Sequence, residues 1–350
     1  MTQTTQYASV LAKIGAERSK LLSEAKLKTL SESKNLTELT AQLRGTAYEG
    51  QMAKASFPLT SLKLERAFHE NLIATTAKII KNSPKHATNY LNLYLYKLEA
   101  ENIKALIKAT IAELSPEQKI ARIYLSVEDY LKNRIIIVEA AKAQTIKQIV
   151  SILKHSEYAL ALSMGLQSYE EEGSTTCLDV LLDKVILEKL YSSYMSLSKK
   201  EKPFANFYSS IENDSFTLLT LLRGKNLNYD ANWLRLAVPP NNFNIHKETA
   251  ERMVMAIDFE SALKIALESY YARFFVRSQN QEETIANAER AFKKALYQHA
   301  KTSVISETFS IGEPLAFMTQ KEAEVHNLTA VSSGVEAAIK PENIQRQMLI

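Results

Sequence analysis

The sequence predicts an all-α protein built from three similar helical units, and three observations carry that prediction. Glycine and proline are scarce, with eight of each in 350 residues, against about 12% combined in an average chain. Apolar residues recur at helical spacing along most of the chain. Three short segments recur in the same order three times. The glycine shortage also argues against turn-dense sandwiches and barrels, which need many Gly and Pro punctuators. It leaves no clustered glycines for a phosphate-cradling loop.

The elements follow in chain order. Leu11, Ile14, Arg18, Leu21 and Leu22 predict a long N-terminal helix. Leu64, Phe68, Leu72 and Ile73 predict a second. Ser115-Pro116-Glu117 sets a serine at an N-cap with proline at the first helical position. Leu178, Leu181, Leu182, Val185 and Ile186 mark a further helix, as do Ile285, Phe292 and Leu296. Lys340-Pro341-Glu342 opens a last short one. Breakers stand at Phe57-Pro58, Ser83-Pro84, Lys202-Pro203 and Val238-Pro239-Pro240, and the longest loops are expected over residues 170–176 and 237–245. Strand-like alternation is scarce.

The repetition is seen in gapless superposition of residues 35–48 (NLTELTAQLRGTAY), 145–158 (TIKQIVSILKHSEY) and 258–271 (DFESALKIALESYY). Each begins on a residue able to cap a helix, Asn35, Thr145 or Asp258. Each ends on a tyrosine, Tyr48, Tyr158 or Tyr271. A second segment follows at Glu65–Phe68, Asp179–Leu182 and Glu289–Phe292, where the first and third copies share the tetrapeptide ERAF. A third closes each copy: Glu99-x-x-Asn102-Ile103, Asp214-x-x-Thr217-Leu218 and Glu324-x-x-Asn327-Leu328. The first two copies run on to a basic residue, Lys108 and Arg223. The expected units are residues 1–110, 111–225 and 226–350. Such units can close into a pseudo-threefold body or stack as a short solenoid.

Charge is unevenly spread. Residues 1–110 hold 16 Lys/Arg against 9 Asp/Glu, residues 111–225 hold 14 against 15, and residues 226–350 hold 13 against 15. A basic first third suits an anionic partner, although a solvated helix surface is the commoner meaning of such a balance. The single cysteine, Cys177, cannot form an intramolecular disulfide. Residues 1–10 lack the apolar core of a signal peptide, and no apolar run is long enough for a transmembrane helix.

Catalytic patterns are absent. The six histidines, His69, His86, His155, His246, His299 and His326, show no metal-ligand spacing. Gly224-Lys225 lacks the surroundings of a phosphate loop, and no serine sits in a nucleophile elbow. The acidic run Glu170-Glu171-Glu172 precedes Gly173 and is expected to be a solvated loop. No catalytic residue, cofactor or metal is expected. The remaining candidates are Tyr48, Tyr158 and Tyr271. An aromatic recurring just after a helix is most simply a packing anchor, and the functional alternative is a ring of aromatics that grips a partner.

The C-terminal stretch then shows a resemblance. Lys321, Glu322, Glu324, Asn327, Leu328, Gly334, Pro341 and Ile344 fall on a K-E-x-E-x-x-N-L segment, a glycine and a P-x-x-I close. This is similar to the C subunit of A/V-type (archaeal) ATP synthases, the counterpart of the d subunit of eukaryotic vacuolar ATPases. Arg18-Ser-Lys-Leu21-Leu22 resembles the family's R-x-x-L-L segment, and Leu43-Arg-Gly-Thr46-Ala-Tyr48 its L-x-x-T-x-Y element. Asn102 to Lys108, and more loosely Thr217 to Arg223, resemble its N-L-x-x-L-L-R element, with Lys108 in place of arginine and Thr217 in place of asparagine. The resemblance implies three helical units around a pseudo-threefold axis, shaped as a funnel with a central cavity. It implies a non-catalytic central-stalk subunit, one copy per complex and peripheral to the membrane. That subunit would lie on the cytoplasmic face between the proteolipid ring and the shaft subunits D and F, with no nucleic-acid partner. Tyr48, Tyr158, Tyr271, Asn102, Lys108, Arg223, Glu324, Asn327 and Leu328 are the candidate interface or repeat-signature residues. Two readings compete with this one: a helical-repeat adaptor binding protein or nucleic acid through its basic first third, and an enzyme with an unrecognised helical active site.

Overall fold

The helix Gln3–Arg18 buries Tyr7, Val10 and Ile14, a stripe at helical spacing. It stops at Arg18, short of the expected Leu21 and Leu22. Ser23 explains the break: its hydroxyl accepts from the Lys26 amide at 3.2 Å and starts a new helix, Glu24–Ser31. The structure, a computed structural model, describes residues 3–54, 58–303 and 309–350, so the Phe57 breaker lies outside the described residues. Those residues form helices joined by short connections and contain no strand.

The periodic segments become helices with the expected faces. Ser61–Asn82 buries Leu64, Phe68, Leu72 and Ile73 and ends before Ser83-Pro84. Thr176–Ser196 buries Leu178, Leu181, Leu182 and Ile186. Ser115 caps Pro116–Ile120 in a full capping box with Gln118, and Pro341 opens Pro341–Gln347. The acidic run is a correction. Glu170, Glu171 and Glu172 are the exposed last turn of the helix Ala159–Glu172, and only Gly173, at φ 71°, ends it. Glycine takes that left-handed position without a Cβ clash.

Two units make up the chain. One comprises residues 1–88 and 293–350, the other residues 89–292. The core of the first joins both ends of the chain: Leu30, Leu39, Leu43 and Phe68 pack with Val325, Leu328, Val331 and Ile344. In the second, Ile103, Leu106 and Ile107 of the helix Leu93–Ile111 pack with Ile149, Leu153, Leu178 and Leu182. In both cores the closing helix of one sequence copy lies against the opening helices of another.

Three long helices, Leu93–Ile111, Lys202–Asn226 and Gly312–Glu336, end alike. The amides of Leu114, Tyr229 and Ile339 donate to the carbonyls of Ala109, Gly224 and Gly334 at 3.0, 2.9 and 2.8 Å. Glu113, Asn228 and Ala338 take the left-handed position, at φ 54°, 59° and 52°. This is the Schellman closure, usually given to glycine. In this glycine-poor chain it falls to residues with a Cβ. The small residue one turn earlier has a separate cause: a Cβ on Gly334 would stand 2.5 Å from Cγ1 of Ile344. The two residues of the C-terminal sequence pattern therefore touch.

Candidate functional site

The three recurring tyrosines are positioned by the same local chemistry. Asn35, Thr145 and Asp258 cap the preceding helices, accepting from the amides of Glu38, Gln148 and Ser261 at 2.9, 3.2 and 2.8 Å. Two residues before each tyrosine, Thr46, Ser156 or Ser269 donates to a helix-end carbonyl at 2.6, 2.7 or 2.7 Å. The same hydroxyl accepts the tyrosine amide at 3.3, 3.3 or 3.2 Å. Such local side-chain bonds tighten the turn. Tyr48, Tyr158 and Tyr271 are 0%, 2% and 0% exposed, so they are packed inside the protein and present no aromatic surface.

Each tyrosine hydroxyl donates to the carboxylate that opens a third-segment motif. Tyr48 reaches Glu324, Tyr158 reaches Glu99 at 2.9 Å, and Tyr271 reaches Asp214 at 2.9 Å. Burial first, then the facing carboxylate, pushes all three hydroxyl pKa values up, so the tyrosines remain donors.

The carboxylates are balanced in three different ways. Glu324 is met by a buried ammonium: Nζ of Lys321 lies 2.8 Å from its Oε1 and 2.8 Å from the Tyr48 hydroxyl, and 4.2 Å from the centre of the Tyr48 ring. The Leu22 amide donates to the other oxygen at 2.5 Å. Burial lowers the Lys321 pKa against the pull of Glu324. Asp214 is met by the backbone: the amides of Phe243 and Asn244 donate at 2.8 and 2.6 Å. Glu99 accepts from Asn133 at 2.5 Å and from Tyr158, and among the described residues no ammonium or guanidinium bonds to it. Burial raises the pKa of both Glu99 and Asp214, with their hydrogen bonds opposing.

The remaining candidates divide by exposure. Asn102, Glu324, Asn327 and Leu328 are buried. Asn102 clips the backbone of Tyr124, donating to its carbonyl at 3.1 Å and accepting its amide at 2.8 Å. Asn327 accepts the Leu349 amide at 2.7 Å, and Thr217, the residue in the matching position, donates to Asn242 at 2.7 Å. Lys108 and Arg223 are the exposed pair. Each reaches the second segment of the following copy, Lys108 to Asp179 at 2.9 Å and Arg223 to Glu289. Exposed pairs of this kind contribute about 0–1 kcal/mol.

Two participants escape a reading of the sequence. Lys321 stands inside the C-terminal pattern, but its burial needs the fold. Glu128, bonded by Asn102 at 2.7 Å, has no sequence signal at all. Among the described residues, no group of three or more His, Cys, Asp or Glu side chains is placed to hold a metal ion, and no helix is long and apolar enough to cross a membrane. Cys177 is buried, and burial raises its thiol pKa, the opposite of what a nucleophile needs. These joints can fasten helices to one another. Their tyrosines and carboxylates are buried.

Comparison with known proteins agrees in extent with the sequence pattern. A family model described as ATP synthase (C/AC39) subunit matches residues 10–347. The C subunit of the A-type ATP synthase of Methanocaldococcus jannaschii is 28% identical, covering 98% of this chain and 86% of that protein. Its namesake in Pyrococcus abyssi is 25% identical over 98% of this chain and 90% of its own. That of Methanothermobacter thermautotrophicus is 24% identical over 98% and 87%.

Proposed function

The chain belongs to the ATP synthase (C/AC39) subunit family, and from that premise we propose that it is the non-catalytic central-stalk subunit of an A/V-type rotary ATPase. In this reading one copy stands at the cytoplasmic face of the membrane, between the proteolipid ring and the shaft subunits D and F, and carries rotation from one to the other. The near full-length family match is the observation that carries it. The internal bonding supports it: a torque link needs stiffness, and each joint ties segments distant in sequence through buried, charge-assisted hydrogen bonds. The three matching tyrosine–carboxylate joints and the three matching helix ends also support three units, residues 1–110, 111–225 and 226–350, around a pseudo-threefold axis in a funnel with a central cavity.

Copurification tests this reading. The full chain, tagged and recovered from membranes, is expected to bring down proteolipid and shaft subunits. Recovery of neither overturns the reading, and recovery of nucleic acid or unrelated peptides favours the adaptor. The isolated chain is expected to hydrolyse no ATP, and turnover by it would favour the enzyme. Charge reversal of Lys20, Lys26, Lys28 and Lys34 is expected to weaken ring association at low salt, because anionic headgroups near the ring attract basic segments. Unchanged association would remove the basic first third from the membrane-facing role.

A further inference from the structure

The joint around Glu99 contains a second buried carboxyl. Glu128 is 0% exposed; Asn102 bonds its Oε1 at 2.7 Å, and its Oε2 has no hydrogen-bond partner. The same Asn102 holds both backbone groups of Tyr124. One side chain therefore fastens the helix Leu93–Ile111 to the start and the middle of the helix Leu125–Leu131.

No described cation pairs with either carboxyl. On Leu93–Ile111, Lys97 is engaged by Glu212 at 2.7 Å, Lys104 by Glu101 and Asp183 at 2.8 and 2.5 Å, and Lys108 by Asp179; Tyr96 adds no charge. On Leu125–Leu131 itself stand Asp129 and Tyr130, and Asp129 takes Arg134 at 2.6 Å. On Arg134–Ala141 the other charge is Glu139, paired with Lys142 at 2.8 Å. Lys132, after the helix, is exposed. Lys189 acts on Glu99 from beyond hydrogen-bond range, while its ammonium binds Glu157 at 2.5 Å and sits 3.3 Å from the Tyr96 ring centre.

We propose that Glu99, Glu128 and Asn102 form a proton-controlled latch between the helices Leu93–Ile111 and Leu125–Leu131, closed while Glu128 keeps its proton and loosened when that proton leaves to solvent and both carboxyls are charged. A buried carboxylate beside another, with one oxygen unbonded, is a costly species, and taking up a proton relieves it. Burial, with the charges of Glu99 and Asp129 adding to it against the Asn102 bond, raises the Glu128 pKa to about 7. The other two joints lack this property: one has an ammonium, the other two backbone amides on its carboxylate. This holds whichever complex the chain serves.

The direction of the effect comes from linkage. A carboxyl whose folded pKa is raised binds more protons when closed than when open, so closure weakens as pH rises from the ordinary carboxylate range through about 7. The test is hydrogen exchange of the full chain at pH 6 and pH 8, each corrected for intrinsic rates. Local opening of the amides of residues 125–131 is expected to increase roughly tenfold at pH 8. Glu128→Gln, which keeps an acceptor for Asn102 and cannot ionise, is expected to stay protected equally at both pH values; if that variant does not fold, Glu99→Gln, which removes one of the charges that raise the Glu128 pKa, is expected to make the rise smaller without abolishing it, and an undiminished rise would count against the latch. A flat wild-type profile, a tenfold rise that persists in the variant, or an equal rise across residues 312–336 would overturn the latch.

Discussion

The joint at Tyr48 and the joint at Tyr158 begin from the same turn, the same inward tyrosine and the same tyrosine–glutamate hydrogen bond, yet they differ in charge. The first carries Lys321 on its glutamate. The second carries another glutamate nearby and no ammonium. The residue three before the carboxylate decides this: lysine before Glu324, but Tyr96 before Glu99 and Ile211 before Asp214. A packing geometry can thus recur while its electrostatic balance is solved separately at each place. Steric fit is supplied by the turn and the ring, and neutrality by whatever group the neighbouring segment offers.

The largest expected effect comes from converting the first joint into the charge state of the others. Lys321→Ile leaves Glu324 buried without its cation and is expected to cost about 3–5 kcal/mol at pH 8. Urea unfolding at pH 8 measures it, and a loss below about 1 kcal/mol would mean that the ammonium does not distinguish the joints. A middle-sized effect separates the other two. Tyr158→Phe leaves Glu99 only Asn133 and should cost about 1–3 kcal/mol, whereas Tyr271→Phe leaves Asp214 two backbone amides and should cost about 1 kcal/mol or less. Denaturation midpoints that reverse this order would show that the backbone donors are not what steadies Asp214.

The smallest effect concerns the helix ends. Ala338 holds a left-handed position that glycine holds freely, so Ala338→Gly is expected to stabilise by up to about 1 kcal/mol. Asn228→Gly should change only a few tenths, since asparagine tolerates that region. Thermal melting compares the two, and equal shifts would remove strain at Ala338 as the reason.

The sequence displays the members of each joint but not their partnering. Periodicity and caps place the long helices, and the copies align well enough to single out Tyr48, Tyr158, Tyr271, Glu324 and Asn102. That Tyr158 meets Glu99 rather than the equivalent carboxylate of its own copy, Asp214, is a packing fact. The chain must travel 276 residues to bring Tyr48 to Glu324. No local pattern encodes that offset. The short helices Leu125–Leu131 and Arg134–Ala141 span about two turns each, too few for a reliable period. Glu128 lies on the first of them and has no counterpart in the aligned segments. The N-terminal helix falls short of its expected length because Leu21 and Leu22 continue its spacing past the point where Ser23 takes over the amides.

The unit made of residues 1–88 and 293–350 has a consequence for synthesis. Its opening helices leave the ribosome first and must wait for its closing ones. At 5–20 residues per second the interval is about 10–40 s. Throughout it, Phe68, Leu39 and Leu43 lack their partners Val325, Leu328 and Val331. Residues 89–292, by contrast, hold their joints within a continuous stretch and can fold as they emerge. The nascent chain is therefore most open to aggregation and chaperone capture at its beginning, and a ribosome that stalls before Glu324 leaves Tyr48 without its carboxylate.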